Sequence, residues 1–196
     1  DGDVSLSVNS VNDAPVFGNI GNQFLPEGET LDILLSATDV ENSSISISIG
    51  SHTIDLETQA EPTLVDNLNG TANFSWSAGF GEEGNYSVTF IAEDGEDATE
   101  VTIVISVGDV NRPPVLDVIG EQNVDENENL VLIITATDPD GDNISFEADG
   151  IPEGAIFTDI GDNSSIIDWT PTYDQSGAHE VTVTVSDSDL TDAETF

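Results

Sequence analysis

The sequence predicts an all-β protein built from two tandem seven-stranded β-sandwiches set in line. Three observations carry that expectation. The chain repeats itself: VNDAPVFGNIGNQFLPEGETLDILLSATDVENSSISI from Val11 aligns without a gap on VNRPPVLDVIGEQNVDENENLVLIITATDPDGDNISF from Val110, a domain-sized shift of 99 residues. Between turn signals the segments read as strands, with period-two alternation in SVTFIA, EVTIVISV and EVTVTVS. No segment carries the apolar stripe of an amphipathic helix. A chain of 196 residues with 37% hydrophobic content has the material for two packed cores.

Taken in order, residues 1–11 end in DVSLSVNSV, which matches EVTIVISVGDV ahead of the second domain and so reads as a final strand belonging to a preceding or neighbouring domain. The first sandwich then runs over residues 12–109. Its runs LDILLSAT and, in the second copy, LVLIITAT are nearly continuously apolar and β-branched, as a sandwich interior requires. A later block, FSWSAGFGEEGNYSVTFIAEDGE from Phe74, matches IDWTPTYDQSGAHEVTVTVSDSD from Ile167 at the shorter shift of 93. The first copy therefore holds about six extra residues around SHTIDLETQAEPTL. Trp76 and Trp169 each precede a glycine and a strand, the placement of core anchors. The joint VGDVNRPP carries two prolines and little freedom. The second sandwich spans residues 110–196 and is incomplete at its C-terminal strand, because SDSDLTDAETF stops where that strand begins. Methionine is absent, which implies that the chain is processed or excised from something longer.

Charge excludes whole classes of function. With 40 acids against one base, Arg112, and a net charge of −39, almost nothing is present to neutralise phosphate, so nucleic acid and anionic membrane surfaces are not partners. No stretch approaches a membrane span. Such a charge repels itself unless cations screen or bind it, and a chain with no cysteine leaves oxygen-ligand cations as the metals to expect. Six N-x-Ser/Thr triplets, from Asn42, Asn69, Asn73, Asn85, Asn143 and Asn163, offer glycosylation sites to an extracellular or cell-surface protein.

The chain resembles the bacterial and archaeal cadherin-like repeats of long surface adhesins, a group that includes putative-Ig and dystroglycan-type cadherin-like domains. The resemblance rests on VNDAPV and VNRPPV at the two domain entrances, ATDPDGD after a strand, DWTP with a glycine eight residues beyond its Trp, and VTVTVSD near the end. It implies Ig-like or cadherin-like sandwiches, a structural or adhesive role, and calcium between successive domains. The first copy departs from the pattern with ATDVENS and SWSAGFGEEG.

Strand parity distributes the acids in a way that suits calcium, which takes six to eight oxygens at about 2.3–2.6 Å. Alternating strands put Asp138, Asp140, Asp142 and Asp187 at the second domain's entrance and Glu27 at the first domain's exit, with Asp109 and Asn111 in the linker. Converging on one joint, they form a candidate calcium clamp. A poorer set, Asp13, Asp39, Glu41 and Asp94, lies at the first domain's entrance, where Ser43 replaces the third acid. An EF-hand fits less well, since Asn143 stands at its glycine position and strands flank the loop. Pro-Asp-Gly-Asp also makes a turn whether or not an ion binds.

No enzyme is expected. The two histidines, His52 and His179, sit in no triad or metal spacing, and His179 takes the slot of Tyr86, a packed strand position. A spacer or adhesive repeat predicts buried tryptophans; the alternative, a glycan-binding module attached to a secreted enzyme or adhesin, predicts exposed aromatics, and aromatics make up only 6%. Partners are therefore neighbouring repeats or identical subunits arranged head to tail. In the second case Val4, Leu6 and Val8 would donate a strand to the open edge of another copy's second domain and build a filament.

Overall fold

The computed structural model describes residues 6–9, 11–41 and 44–196. These divide into two compact units, residues 1–110 and 111–196. Every regular element among the described residues is a β-strand.

Unit 1 contains β1 (Val16–Phe17), β2 (Gln23–Pro26), β3 (Thr30–Thr38), β4 (Ser46–His52), β5 (Thr63–Asp66), β6 (Thr71–Ser77), β7 (Gly84–Glu93) and β8 (Ala98–Gly108). They form two sheets, β1-β3-β6-β5 and β2-β8-β7-β4. The expected seven strands become eight because GNIGN breaks the first strand in two. Its first half, β1, pairs antiparallel with β3, and its second half, β2, crosses to the other sheet and pairs parallel with β8 from Gln23↔Ile105 to Pro26↔Gly108. Between the sheets Leu35, Phe74, Trp76, Phe90, Ile103 and Ile105 are essentially inaccessible, and Phe74 meets Phe90 edge-on at 5.2 Å. Such T-shaped pairs add about 1 kcal/mol to area burial.

The extra residues of the first copy have a packing role. Their turn brings the Ala60 carbonyl to the Trp76 indole N–H (3.0 Å) and the Gln59 amide to the Tyr86 hydroxyl (2.6 Å), while Tyr86 lies edge-on to Trp76 at 5.1 Å. Trp76 is thus a core anchor with its polar atom satisfied.

Unit 2 contains β9 (Val115–Leu116), β10 (Leu130–Thr137), β11 (Ser145–Asp149), β12 (Ile156–Gly161), β13 (Ser164–Trp169), β14 (Thr182–Ser186) and β15 (Thr191–Thr195), in sheets β12-β13-β10-β9 and β11-β14-β15. Its last strand is present but short. β15 pairs with β14 from Thr182↔Thr195 to Ser186↔Thr191 over 5 residues, where β8 of unit 1 has 11. The segment of unit 2 that matches β2, residues 122–125, forms no strand. The core is smaller in proportion, with 8 buried apolar residues in its packed cluster where that of unit 1 has 16.

The apolar runs of β3 and β10 serve the interior with alternate residues only. Leu35 and Ile134 are buried, while Leu34, Val131 and Ile133 face solvent. Among the described residues ahead of β1, Leu6 and Val8 are exposed and lie in no strand. Val4 lies outside the described residues.

Candidate functional site

Each unit gathers acids at the end where its chain enters. In unit 1 the Asn12 amide donates to Asp94 Oδ2 (2.9 Å) and Asp97 Oδ2 (3.1 Å), joining the entering chain to the β7–β8 turn. The Asp13 amide reaches Glu41 Oε2 in the β3–β4 loop at 3.4 Å. Asp94 also accepts the backbone N–H groups of Asp97 and Glu96, and these bonds, that from Asp97 foremost, hold its carboxyl below the ordinary carboxylate range. Asp13 is exposed and Asp39 half-buried. Ser43 lies outside the described residues.

Unit 2 repeats this arrangement with one decisive change. Asn111 donates to Asp187 Oδ2 (3.0 Å), as Asn12 does to Asp94, and the Arg112 backbone N–H donates to Asp140 Oδ2 (2.7 Å), as Asp13 does to Glu41. But Arg112 brings a guanidinium where unit 1 has a carboxylate. Its Nε and Nη2 grip Asp140 Oδ1 at 2.8 and 2.5 Å, and Nη2 also donates to the Pro139 carbonyl. Hydrogen bonds from the guanidinium hold the Asp140 carboxyl below its usual range. The sole base of the chain therefore neutralises one of the expected calcium ligands.

Asp138 sits behind this pair. Its Oδ1 accepts the backbone N–H groups of Asp140 (2.9 Å) and Asp142 (3.1 Å), a turn that Gly141 completes with φ 82°, while Oδ2 is buried with no hydrogen-bond partner. Asp187 is buried and spans the β14–β15 turn through the N–H groups of Leu190 (2.6 Å) and Asp189 (2.7 Å); the bond from Leu190 dominates in lowering its carboxyl. Asp142 is exposed, and Asn111 is half-buried.

At the opposite end of unit 1, Glu27 is 3% exposed. Its backbone N–H bonds the Gly108 carbonyl at the end of β8 (3.0 Å), and its Oε1 accepts the Glu82 N–H (2.5 Å). Its Oε2 is buried without a hydrogen-bond partner. Gly28, with φ 76° and the Phe80 ring packed over its Cα, makes the tight turn that aims Glu27 inward. Glu82 caps its own turn through the Gly79 N–H (2.7 Å). Asp109, just beyond β8, is exposed. In unit 2 the matching acid, Glu126, is exposed, and Gln175 performs the capping of Glu82 by accepting the Thr172 N–H at 2.8 Å. Among the described residues no three His, Cys, Asp or Glu side chains stand close enough to hold a metal by themselves.

Unit 2 also holds a cavity of about 530 Å³ that the sequence did not signal, bordered by Leu132, Ile167, Trp169, Val181 and Phe196 and by the segments Glu121–Glu126 and Gln175–Glu180. Trp169 forms part of its wall with its indole N–H buried and unbonded. His179 is exposed at the rim rather than packed in a strand; its ring lies edge-on to Trp169 at 5.1 Å and its Nε2 is 2.9 Å from the Gln175 carbonyl. β14 starts too late to include it, since no strand pairs with Gly177–Glu180. Neither histidine forms a hydrogen bond to a carboxylate or hydroxyl nucleophile among the described residues.

The profile of a single family, bacterial Ig domain, matches residues 12–107 and again residues 111–196. The chain belongs to the bacterial Ig domain family. Ig-like domains are generally non-catalytic modules, and bacterial ones are typically extracellular or surface-associated. Among the described residues no helix is long and apolar enough to cross a membrane. These two Ig domains are similar to part of chitinase A of Pseudoalteromonas piscicida, with 27% identity over 138 residues, which covers 69% of this chain and 16% of that protein. Among solved structures, the titin domains z1z2 in complex with telethonin match with TM-score 0.46 and 16% identity over 95% of each chain. The endo-fucoidan hydrolase MfFcnA4, of glycoside hydrolase family 107, matches with TM-score 0.43 and 20% identity over 96% of this chain and 29% of its own.

Proposed function

We propose that the two Ig domains are a structural spacer of a secreted or cell-surface protein, and that calcium ions at their ends stiffen them. The observation that carries the calcium reading is Glu27. Glu27 is almost wholly removed from water with one oxygen bonded and the other not, so a cation would satisfy the second, and unit 1 contains no Lys or Arg to do so. Hard carboxylate and carbonyl oxygens suit calcium, and the neighbouring Glu82 turn and Asp109 are of that kind. At the entrance of unit 2, Asp138 Oδ2 is likewise buried without a hydrogen-bond partner, with Asp142 on its own loop and Asp187 on the β14–β15 turn, while Asp140 is already balanced by Arg112. The weaker set of unit 1, Asp13, Asp39 and Asp94, lacks that internal cation.

The spacer reading rests on the tryptophans, 1% and 8% exposed, which leaves neither as a platform for sugars. The likeness to a chitinase supports a parent protein that acts on polysaccharide, with this chain as its spacer. Soluble chitin oligomers should then leave the fluorescence of both tryptophans unchanged; quenching would favour the glycan-binding alternative.

Calorimetric titration with calcium, against magnesium at equal ionic strength, tests the metal. Calcium at a hundredfold excess over Kd adds about 2.7 kcal/mol to the stability of the unit that binds it. Glu27→Gln should remove the increment of unit 1. If calcium and magnesium act alike, and Glu27→Gln responds as the parent chain does, no specific site exists.

A further inference from the structure

Each unit has a strand that is bonded on one side only. β4 pairs with β7 and β11 pairs with β14, and each ends its sheet, so the backbone groups on the far side meet no neighbouring strand. Such an edge is a template for a strand of another molecule unless charge, proline, a bulge or a cover blunts it. β4 reads SISIGSH, without an acid, a lysine, an arginine or a proline. A register shift between Ile49 and Ser51 interrupts its far half. Its near half is uncharged and alternating, with Ile47 turned inward and 3% exposed.

A single carboxylate covers that near half. Asp66, the last residue of β5, belongs to the opposite sheet, and its Oδ2 accepts the Ile47 N–H at 3.2 Å. Its Oδ1 accepts the Leu68 N–H of its own turn at 2.9 Å, which holds the carboxylate in place. The arrangement recurs in unit 2. The shift of 93 carries Asp66 onto Asp159, and the shift of 99 carries Ile47 onto Phe146. Asp159 Oδ2 accepts the Phe146 N–H at 3.0 Å, and its Oδ1 accepts the Gly161 N–H at 3.0 Å. The flanking residues change from Val65 and Asn67 to Thr158 and Ile160, yet the aspartate and its two bonds persist.

We propose that Asp66 and Asp159 are edge guards, which keep β4 and β11 from pairing with the same edge of a second copy of the chain. Each takes up an outward N–H that an incoming strand would bond, and each sets a negative charge against the carbonyls and acids that the incoming copy brings. The two edges do not depend on their guards equally. β11 reads SFEAD, and its exposed Glu147 and Asp149 repel a second copy even without Asp159. β4 has no charge of its own and relies on Asp66. The guard matters most where salt screens the net charge of −39, since repulsion between whole chains then no longer holds copies apart. This inference rests neither on calcium nor on the spacer reading.

The test compares the parent chain with Asp66→Ala, Asp66→Asn and Asp159→Ala by analytical ultracentrifugation in calcium-free buffer with enough salt to screen the net charge. Asp66→Ala should self-associate about tenfold more strongly than the parent, roughly what one hydrogen bond is worth. Asp66→Asn keeps an acceptor oxygen and should behave as the parent does, and Asp159→Ala should show the smaller rise. Because alanine at position 66 also frees the Leu68 turn, a further variant separates strand pairing from unfolding: Asp66→Ala with Ser48→Glu lacks the guard but sets like charges opposite each other across a β4–β4 pair. It should return to the association of the parent. An Asp66→Ala chain that associates no more than the parent overturns the proposal. So does a double variant that associates as strongly as Asp66→Ala, because the contact is then not made through the edge of β4.

Discussion

Unit 1 and unit 2 fold the same repeat, but unit 1 is closed along its first and last strands and unit 2 is open there. The difference is not one of core chemistry, since both bury a tryptophan, both cap the same turn with a Glu or Gln side chain, and both tie the entering chain to the β7–β8 or β14–β15 turn with an Asn–Asp hydrogen bond. It shows in the strands and in the tryptophan slot. In unit 1 β2 has a parallel partner in β8, the Glu27 N–H bonds the end of β8, and the turn of the extra residues bonds Trp76. In unit 2 the segment matching β2 forms no strand, Glu126 is exposed and Trp169 borders a cavity.

The sharpest way to break the contrast is to open unit 1. Ile105→Ala should cost about 2–5 kcal/mol of unit 1 stability in urea denaturation. Phe196→Ala in unit 2 should cost less, because Phe196 is only half-buried against an already open space. Equal losses would mean that the two edges are equally well packed. The tryptophans give a smaller effect of the same sign. Trp76→Phe removes a bonded indole N–H, whereas Trp169→Phe removes one with no acceptor, so Trp76→Phe should be the more destabilising by about 1 kcal/mol.

The smallest expected effect is acid sensitivity. Asp94 in unit 1, and Asp140 and Asp187 in unit 2, have carboxyls held below their unfolded value of about 3.9. A depressed carboxyl contributes stability that is full above the unfolded value and is lost as pH falls through the folded one. Asp187→Asn should therefore weaken unit 2 at pH 6, and the difference from the parent chain should shrink as pH falls through the unfolded value and then the lower folded one. Thermal melts across that range would show it; a difference that grows on acidification would contradict the assignment.

Much of this was legible in the sequence because the repeat could be read against itself. The shift of 99 located both entrances, and the slot shared by Trp76 and Trp169 identified both anchors. The final strand of unit 2 was harder to read, because TDAET lacks alternating apolar residues. Its inward positions are acids that serve as acceptors: Asp192 takes the Leu116 N–H at 2.9 Å, and Glu194 takes those of Ile119 and Gly120 at 2.9 and 3.1 Å. Arg112 was legible as the only base but not as the partner of Asp140, since pairing across 28 residues depends on how the entering chain crosses the β10–β11 loop. The break between β1 and β2 escaped because a period-two pattern marks strands without saying which sheet each half joins.

Amide hydrogen exchange tests most directly whether the two units differ in how their first and last strands close. Residues 84–88 and 23–26 of unit 1 should be strongly protected, while their counterparts 177–180 and 122–125 in unit 2 should exchange rapidly. Full protection of 177–180 and 122–125 would show that unit 2 is closed as unit 1 is, and would contradict the account.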